Sequence, residues 1–305
     1  MRKKQILIKN GILVRPTKQR WGQTHCMLPT PVKIAKNKFR VFYGTRNKKN
    51  QSCITFCDIS FENKFKLKIT QSNLRCMKPG KLGTFDDNGV LPSSIIKNKG
   101  IYYLYYIGWQ PRITTRYSLL PGLALSKNLK NFKRYSQAPI LKNSDREPYS
   151  VLTAPFVMKI KKKWLMWYVS CEEWVTAQYP RYNIKLAISK NGLEWRQTGN
   201  VCIKLKKNER ALARPYVIRD GRLFKMWYSY EKKIGTYKIG YAESINGKKW
   251  RRLDSNISFE KKKVFKDNKM QEYPSIIKIF EKKYLLYNGN NYGKFGINFA
   301  ELIQK

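Results

Sequence analysis

The stretch Leu152-Thr-Ala-Pro-Phe-Val-Met158 is one copy of a pattern that recurs five times along this chain of 305 residues. Each copy opens with residues that are polar or marked by proline and continues into an apolar run. The other copies are Leu28-Pro-Thr-Pro-Val-Lys-Ile34, Val90-Leu-Pro-Ser-Ser-Ile-Ile96, Leu212-Ala-Arg-Pro-Tyr-Val-Ile218 and Glu272-Tyr-Pro-Ser-Ile-Ile277. Taking Pro31, Ser93, Pro155, Pro215 and Pro274 as equivalent gives spacings of 59 to 62 residues. A nearly fixed period of this length indicates a repeat architecture.

Two further segments follow each copy, and both are typical of β-strands because they are rich in aromatic and β-branched residues. The second segments are residues 39–43, 101–106, 164–168, 223–228 and 284–287. The third segments are residues 52–59, 122–126, 184–189, 239–244 and 296–300. Asn191-Gly192 and Asn246-Gly247 predict hairpin turns in which both residues have positive φ, followed by fourth strands that open at Trp195 and Trp250.

Five such units predict an all-β protein, a five-bladed β-propeller with about four antiparallel strands per blade. The segment Gln5-Ile-Leu-Ile-Lys9 precedes the first copy and has no unit of its own. We expect it to join the last blade and close the ring, because an open ring leaves an unpaired strand edge. No segment indicates a long helix, and residues 1–305 are expected to form a single domain.

The composition is strongly basic, with 63 Lys and Arg against 19 Asp and Glu and a formal net charge of +44. Hydrophobic residues make up 42% of the chain, which is enough for a packed core, so the charge does not predict disorder. No window of eighteen apolar residues occurs, and the first residues are soon interrupted by charge, so we expect no membrane span and a cytoplasmic location. Six cysteines without a CxxC pair, and a single histidine, predict buried thiols and no zinc site. No cofactor is expected.

The basic excess has two interpretations. It favours attraction to polyanions such as nucleic acid, lipid headgroups or acidic sugars. Lysines are nevertheless spread along the whole chain without a basic tail or stripe, as a compositional bias would produce. Because no basic cluster is interleaved with aromatic residues on one element, we do not expect nucleic acid to be the partner.

Chemistry-bearing residues concentrate where a propeller directs side chains toward its axis, at the start of the first strands and in the loops after the second strands. Seven of the nineteen acidic residues lie there. Paired carboxylates across a cavity are what glycosidic-bond chemistry needs, one as acid and one as nucleophile or base. The candidate catalytic residues are Asp86, Asp87, Glu173, Glu209 and Glu272. The candidate substrate-binding residues are His25, Arg46, Trp109, Glu172, Arg210, Arg214, Tyr230, Asp267, Tyr273, Asn288 and Asn290.

A structural role is the alternative interpretation for several of these residues. Asp86 and Asp87 precede Asn88-Gly89, which is ordinary turn chemistry. Arg214 is also placed to brace a neighbouring blade, and a lone histidine such as His25 is more often structural than catalytic. The placement of these residues at equivalent points of the repeat is what favours a site.

Several segments together resemble a known family. They are Thr84-Phe-Asp-Asp-Asn-Gly-Val-Leu-Pro-Ser94, Tyr103-Leu-Tyr-Tyr-Ile-Gly-Trp109, Met166-Trp-Tyr-Val-Ser-Cys171, Ala213-Arg-Pro215, Met226-Trp-Tyr-Ser-Tyr230 and Tyr287-Asn-Gly-Asn-Asn-Tyr-Gly293. These segments resemble glycosyl hydrolase-like proteins with a five-bladed propeller fold, which are related to glycoside hydrolase families 43, 32 and 68. The resemblance covers nearly the whole chain.

This resemblance implies an aspartate at the start of the first blade, a second in the second blade and a glutamate acid in the third. Here the first blade starts with Met27-Leu-Pro-Thr-Pro31, which contains no carboxylate. The second-blade role falls to Asp86 or Asp87, and the third to Glu172 or Glu173, so catalysis needs a redistributed pair that also draws on Glu209 or Glu272. Related propeller phosphorylases hold phosphate with basic residues, which implies such a role for Arg46, Arg210 and Arg214.

The leading hypothesis is therefore a glycan-active enzyme of the glycosidase type, which cleaves or transfers a glycosyl unit in a central carboxylate-lined cavity. Its partner is a carbohydrate or an anionic sugar derivative. A non-catalytic carbohydrate-binding propeller in polysaccharide biosynthesis and a polyanion-binding scaffold are the alternatives. The oligomeric state is not predicted.

Overall fold

The computed structural model describes residues 4–17, 19, 21–61, 67–260 and 266–305. Nearly all regular structure in it is β, and no helix in these ranges is long and apolar enough to cross a membrane. The strands are β1 (Gln5–Val14), β2 (Thr24–Ala35), β3 (Lys38–Arg46), β4 (Ser52–Phe61), β5 (Leu67–Gln71), β6 (Gly89–Asn98), β7 (Ile101–Pro111), β8 (Tyr117–Ser126), β9 (Lys133–Arg134), β10 (Leu152–Ile160), β11 (Lys163–Thr176), β12 (Tyr179–Ser189), β13 (Arg196–Ile203), β14 (Ala211–Asp220), β15 (Leu223–Glu231), β16 (Lys238–Ser244), β17 (Arg251–Arg252), β18 (Ile257–Phe259), β19 (Glu272–Ile279), β20 (Lys282–Asn288) and β21 (Ile297–Gln304). A short α-helix, α1 (Asn290–Gly293), follows β20, and a 3₁₀ turn (Asp254–Asn256) precedes β18.

The strands pair as antiparallel meanders, one for each copy of the sequence repeat. We call them units one to five: β2–β5, β6–β9, β10–β13, β14–β17, and β19–β21 with β1. Units three and four are separate four-stranded sheets. Units one and two form one eight-stranded sheet, joined by a single parallel pairing of Ser52 with Gly89. The all-β prediction is confirmed.

The first strands of the units follow one another around a common centre. β2 contacts β6, β6 contacts β10, β10 contacts β14, β14 contacts β19, and β19 contacts β2. The N-terminal strand β1 pairs antiparallel with β21 in the last unit, as predicted, and its other edge pairs parallel with β18. The last unit is therefore completed by the first strand of the chain.

Every first strand contains a β-bulge near its start, opposite a tyrosine of the second strand. In a bulge, one strand has an extra residue against its partner, which bends the strand and re-aims a side chain. The extra residue has positive φ, between 44° and 56°, in four units. These residues are Leu28, Ala154, Arg214 and Tyr273, and the shift in unit two falls at Ser93. In unit one, Pro29 directly follows the positive-φ residue Leu28. Pro29, and not the predicted Pro31, is therefore the structural equivalent of Pro155, Pro215 and Pro274.

A buried tyrosine and carboxylate pair recurs in units two to five. The tyrosine lies in the buried part of the second strand, and its hydroxyl donates to the carboxylate over 2.6 to 3.0 Å. The pairs are Tyr106 with Asp86, Tyr168 with Glu147, Tyr228 with Asp254 and Tyr287 with Asp267. Each carboxylate also meets a cation, so the buried charge is compensated. The recurrence shows that these carboxylates hold the units together internally.

The residue before each of these tyrosines packs toward the next unit. Tyr105 donates its hydroxyl to the Gly192 carbonyl at 2.7 Å, and Trp167 donates its indole N–H to the Gly247 carbonyl at 2.8 Å. Burying a large aromatic side chain contributes about 1.5 to 3 kcal/mol to the stability of the fold.

The prediction of the turn type at Asn191-Gly192 and Asn246-Gly247 was wrong, because only the glycines have positive φ. The preceding asparagines instead accept from backbone N–H groups two and three residues ahead, which shapes a longer loop.

Candidate active site

A cavity of about 480 Å³ opens where the five first strands meet. We call it the central cavity. Its volume lies within the range of small-molecule sites. It is lined by Met27, Leu28, Arg46, Lys49, Asn50, Asn88, Leu91, Ile107, Trp109, Pro111, Arg116, Tyr117, Leu119, Thr153, Ala154, Val169, Gln178, Tyr179, Tyr182, Arg210, Ala213, Arg214, Ile234, Tyr237, Tyr273 and Tyr292. No carboxylate occurs among these lining residues, within the part of the chain that the structure describes.

The bulges supply part of the lining. Leu28, Ala154, Arg214 and Tyr273 are the bulge residues of four units, and all four line the central cavity. A left-handed backbone conformation at a residue other than glycine raises the free energy of the folded state by an amount of order 1 kcal/mol or more. It persists where the surrounding structure fixes it. Here the strand pairing on both sides of the bulge holds the strained residue in place. The strained bulges of four units thus place four different side chains on the lining of the central cavity.

Tyrosines form much of the wall. Tyr117 and Tyr182 share a hydrogen bond of 2.5 Å between their hydroxyls, and Trp174 packs edge-on against Tyr117. Burial raises the pKa of Tyr182, Tyr237 and Tyr273 well above the usual value. Their hydroxyls therefore stay protonated at neutral pH. A ligand meets hydrogen-bond donors and flat apolar faces there.

Four arginines reach the central cavity, and their partners differ. Arg210 pairs with the buried carboxylate of Glu231. Arg46, Arg116 and Arg214 form no salt bridge with any carboxylate in the described ranges. Burial lowers the pKa of Arg214 to about 10, which still leaves it charged at neutral pH. The cavity therefore carries several positive charges that nearby carboxylates do not neutralise.

Five of the sixteen predicted site residues line the central cavity. They are Arg46, Trp109, Arg210, Arg214 and Tyr273. Sequence reasoning missed the tyrosines near the start of the third strands, Tyr117, Tyr182 and Tyr237. The signal that was available is their recurrence at this point in units two, three and four. Arg116, beside Tyr117, was missed as well.

Three predicted acidic residues are held by internal partners. Asp86 and Asp267 belong to the tyrosine and carboxylate pairs and also accept from Arg134 and Lys9. Glu209 binds Arg252 with both oxygens, each at 2.7 Å. The structure gives these carboxylates scaffolding contacts and places none of them on the cavity lining.

Asp87, Glu172 and Glu173 lie nearer the surface. Asp87 is half-buried and accepts from the Gly83 N–H at 2.9 Å and from the side chain of Gln110 at 3.1 Å. Glu173 is exposed and forms a salt bridge with Arg181 at 2.9 Å, and exposed Glu172 accepts from Asn183. Of the three, only Asp87 is adjacent in sequence to a lining residue, Asn88.

Glu272 is fully buried, and neither of its carboxyl oxygens has a hydrogen-bond partner among the described residues. Burial raises its pKa well above the usual value, and the nearby carboxylate of Glu231 raises it further. Glu272 directly precedes Tyr273 on the cavity wall, and it occupies the strand position that Thr153 and Ala213 occupy in units three and four. It is therefore a carboxyl group behind the lining, and its burial favours the protonated form.

The remaining predicted residues have structural contacts. Asn288 is fully buried and accepts from the Leu28 N–H at 2.9 Å, so it ties unit five to the bulge of unit one. Asn290 accepts from two backbone N–H groups in the preceding loop. The ring of Tyr230 lies under Arg252. His25 is half-buried, and burial, helped by Arg46, lowers its pKa to about 4.

All six cysteines are buried and unpaired, as predicted. Within the described ranges no group of three or more His, Cys, Asp or Glu side chains is arranged to hold a metal ion.

Comparison with known proteins gives a family and a fold. The sequence model of the glycosyl hydrolases family 32 N-terminal domain matches residues 89–300. The uncharacterized protein Rv1502 of Mycobacterium tuberculosis is 31% identical over 287 residues, which cover 92% of this chain and 94% of that protein.

Solved structures of glycoside hydrolases share the fold. One, described as a glycoside hydrolase, superposes with a TM-score of 0.74 at 18% identity, over 96% of this chain and 90% of the other. The family 32 β-fructofuranosidase of Bombyx mori superposes with a TM-score of 0.63 at 15% identity, over 95% of this chain and 63% of the enzyme. At these identities the likeness is one of fold.

Proposed function

The chain belongs to the glycosyl hydrolase family 32 N-terminal domain family, and from this premise we propose that it is a glycan-active enzyme whose sugar substrate binds in the central cavity. We also propose that residues 1–305 form one domain, a five-bladed β-propeller of about four strands per blade that the N-terminal strand closes. The cyclic contacts of the five first strands and the pairing of β1 with β21 support this architecture.

The observation that carries the proposed function is the convergence of aromatic rings and hydrogen-bond donors from all five units on one cavity. Trp109 and Tyr179 present rings to it, and buried tyrosine hydroxyls and guanidinium groups present donors. Sugars expose apolar faces between hydroxyl groups, and sites for them combine aromatic surfaces with a few placed polar groups. The central cavity has this composition.

For catalysis we propose Asp87 and Glu272. Among the five candidate catalytic carboxylates, these two are adjacent in sequence to cavity-lining residues and are free of a salt bridge to any described cation. Burial raises the pKa of Glu272 and so favours the protonated form that a general acid needs. Asp87 at the rim would serve as the ionised partner, because glycosidic cleavage uses one carboxyl group of each kind. Asp86, Glu173 and Glu209 are engaged by cations instead.

The test is a hydrolysis and phosphorolysis screen over aryl glycosides, nucleotide sugars and oligosaccharides, read by mass spectrometry. Asp87→Asn and Glu272→Gln are each expected to abolish turnover without loss of the folded state. Asp145→Asn removes a carboxylate from an exposed loop and serves as the matched control, with activity retained. Turnover that survives both site variants contradicts the catalytic assignment.

A second candidate function is carbohydrate binding without turnover. It is favoured by the lack of carboxylates among the described lining residues. In that case sugars raise the Tm of the protein, no product forms in the screen, and Asp87→Asn leaves the sugar affinity unchanged.

A further inference from the structure

We propose that the turns around the mouth of the central cavity dock on an anionic membrane surface, through the exposed side chains of Ile113, Val175 and Ile234 and the cations beside them. This inference goes beyond the proposed function, because it concerns the surface outside the cavity and holds whether or not a sugar is turned over. It gives the cavity mouth a partner, a bilayer that carries anionic lipid headgroups.

Three units carry an exposed aliphatic residue where their second strand turns into their third. Ile113 lies between β7 and β8 of unit two, Val175 lies near the tip of the β11–β12 hairpin of unit three, and Ile234 lies between β15 and β16 of unit four. Ile113 is fully exposed, Val175 is 59% exposed and Ile234 is 45% exposed. Exposed aliphatic side chains that group together mark a site of contact with a partner or a membrane.

The three side chains do group together. The backbone N–H of Arg116 donates to the Ala177 carbonyl at 2.8 Å, which joins the turn that holds Ile113 to the hairpin that holds Val175. Val175 and Ile234 both border a groove of about 540 Å³ between units three and four. Ile234 also lines the central cavity. The three aliphatic residues therefore occupy consecutive units beside the cavity mouth.

Exposed cations surround these aliphatic residues. They are Lys48, Lys49, Arg112, Arg116, Lys207, Lys232 and Lys233. None of the seven forms a salt bridge with a carboxylate of the described ranges. The exposed acidic residues of the same turns are Glu172 and Glu173, and Glu173 is already paired with Arg181. We call the three aliphatic residues and the seven cations the mouth surface, and its charge complements that of an anionic leaflet.

A bilayer fits the mouth surface better than a protein or a nucleic acid does. Interfacial sites combine apolar side chains, which enter the boundary between headgroups and acyl chains, with cations that attract anionic lipids. Separate side chains on three turns can each enter a fluid bilayer, whereas a protein partner needs one closely complementary patch. A second copy of this chain would bring two basic surfaces together. Single-stranded nucleic acid is bound by cations and stacking rings, which leaves exposed aliphatic residues without a role.

The opposite end of the units differs from the mouth. The turns between third and fourth strands lie there, because successive antiparallel strands reverse direction. Equivalent positions in these turns hold Lys127, Lys190 and Ile245 in units two, three and four. Ile245 is 80% exposed, and Lys248 and Lys249 follow it closely. One aliphatic residue thus stands at this end against three at the mouth, which makes Ile245 a matched control.

The first experiment measures cosedimentation of the full chain with vesicles. Vesicles of phosphatidylcholine alone are compared with vesicles that also contain phosphatidylglycerol. The variants are the double substitution Ile113→Ser with Ile234→Ser and, as the control, Ile245→Ser. All three positions are exposed, so the variants are expected to keep the Tm of the unmodified protein.

The unmodified protein is expected to bind the vesicles with phosphatidylglycerol much more tightly than those without it. The double variant is expected to weaken this binding by roughly tenfold or more, because two aliphatic side chains no longer leave water on docking. Ile245→Ser is expected to leave it unchanged. Binding that survives the double variant, or an equal loss in the control, would show general adsorption of a basic protein and overturn the inference.

The second experiment reports which end of the units meets the lipid. Ile234→Cys and Ile245→Cys are each labelled with an environment-sensitive fluorophore, and the native thiols are buried and do not compete for the label. The emission at position 234 is expected to shift to the blue when phosphatidylglycerol vesicles are added, with no shift at position 245. No shift at position 234 overturns the inference even where vesicles are bound.

Two other results would assign the mouth surface to a different occupant and also overturn the inference. One is a dimer in solution that dissociates in the double variant. The other is binding of a single-stranded RNA that the double variant weakens while phosphatidylglycerol vesicles are not bound. None of these measurements depends on turnover or on a sugar, so their failure leaves the proposed function intact.

Discussion

The guanidinium of Arg214 donates to the carbonyl oxygen of Pro29 at 3.1 Å, across 185 residues of chain. Arg214 belongs to β14 and Pro29 to β2, and β19 lies between these two strands in the ring of contacts. The side chain therefore links first strands that are not neighbours. A side chain held at its far end in this way has little conformational freedom left.

Glu209→Gln is expected to destabilise the protein without affecting the cavity. Glu209 and Arg252 form a buried bidentate pair, and loss of one partner leaves the other charge uncompensated. Asp254 still contacts Arg252, so we expect the low end of the usual cost, about 3 kcal/mol in the free energy of unfolding. Denaturant unfolding measures it. Asp220→Asn breaks an exposed pair with Lys225 and should cost below about 1 kcal/mol; equal losses in the two variants would contradict the assignment.

Asp86→Asn is expected to lower stability and to leave ligand binding unchanged. Asp86 is fully buried and accepts from Tyr106, Arg134 and Thr84, so the variant leaves Arg134 without its counter-charge. A loss of about 3 kcal/mol is expected by thermal or chemical unfolding. A variant of normal stability that no longer binds or turns over sugar would show that Asp86 acts on the ligand instead.

The contribution of His25 to the stability of the protein is expected to rise with pH between about 4 and 6.5. Burial and the charges of Arg46 and Lys294 lower the pKa of His25 to about 4, against 6.5 in the unfolded chain. In this window the unfolded chain binds the proton and the folded protein does not, so lowering the pH favours unfolding. His25→Gln should therefore show a smaller drop in Tm between pH 7.5 and pH 4.5. Parallel Tm profiles for the two proteins would count against this role.

The six thiols are expected to be unreactive in the folded protein. All are buried, and burial raises the pKa of Cys53, Cys76, Cys171 and Cys202 to about 12, so the reactive thiolate is scarce at neutral pH. A chromogenic disulfide reagent should label six thiols in denaturant and essentially none within minutes without it. Rapid labelling of the native protein would mean that a cysteine reaches the surface.

The strands were predictable from the sequence because each depends on a local pattern that the repeat displays five times. The first strand predicted around 152–158 is observed as β10, Leu152–Ile160, and the segment 164–168 lies within β11. The bulges were not predicted, because they depend on the register between two strands. The register of unit one also makes Pro29, and not the predicted Pro31, the residue equivalent to the prolines of the other units.

The site was predictable only in part, because a residue near the axis can face either the cavity or the interior of its own unit. Arg214 and Tyr273 lie on the bulges and face the cavity. Asp86 and Asp267 stand at comparable places in the repeat but turn toward the tyrosines of the second strands. The repetition of those tyrosines, Tyr106 and Tyr287 among them, was the available signal for a scaffolding role.

The bulges allow the chemistry of this protein to diversify with few codon changes. Each bulge residue projects from a strand whose pairing is made on either side of it, so the backbone hydrogen bonds of the sheet do not depend on the identity of its side chain. In this chain the four positions with positive φ hold Leu28, Ala154, Arg214 and Tyr273. A small combinatorial library at these four codons would sample a wide range of ligand preferences on one unchanged scaffold.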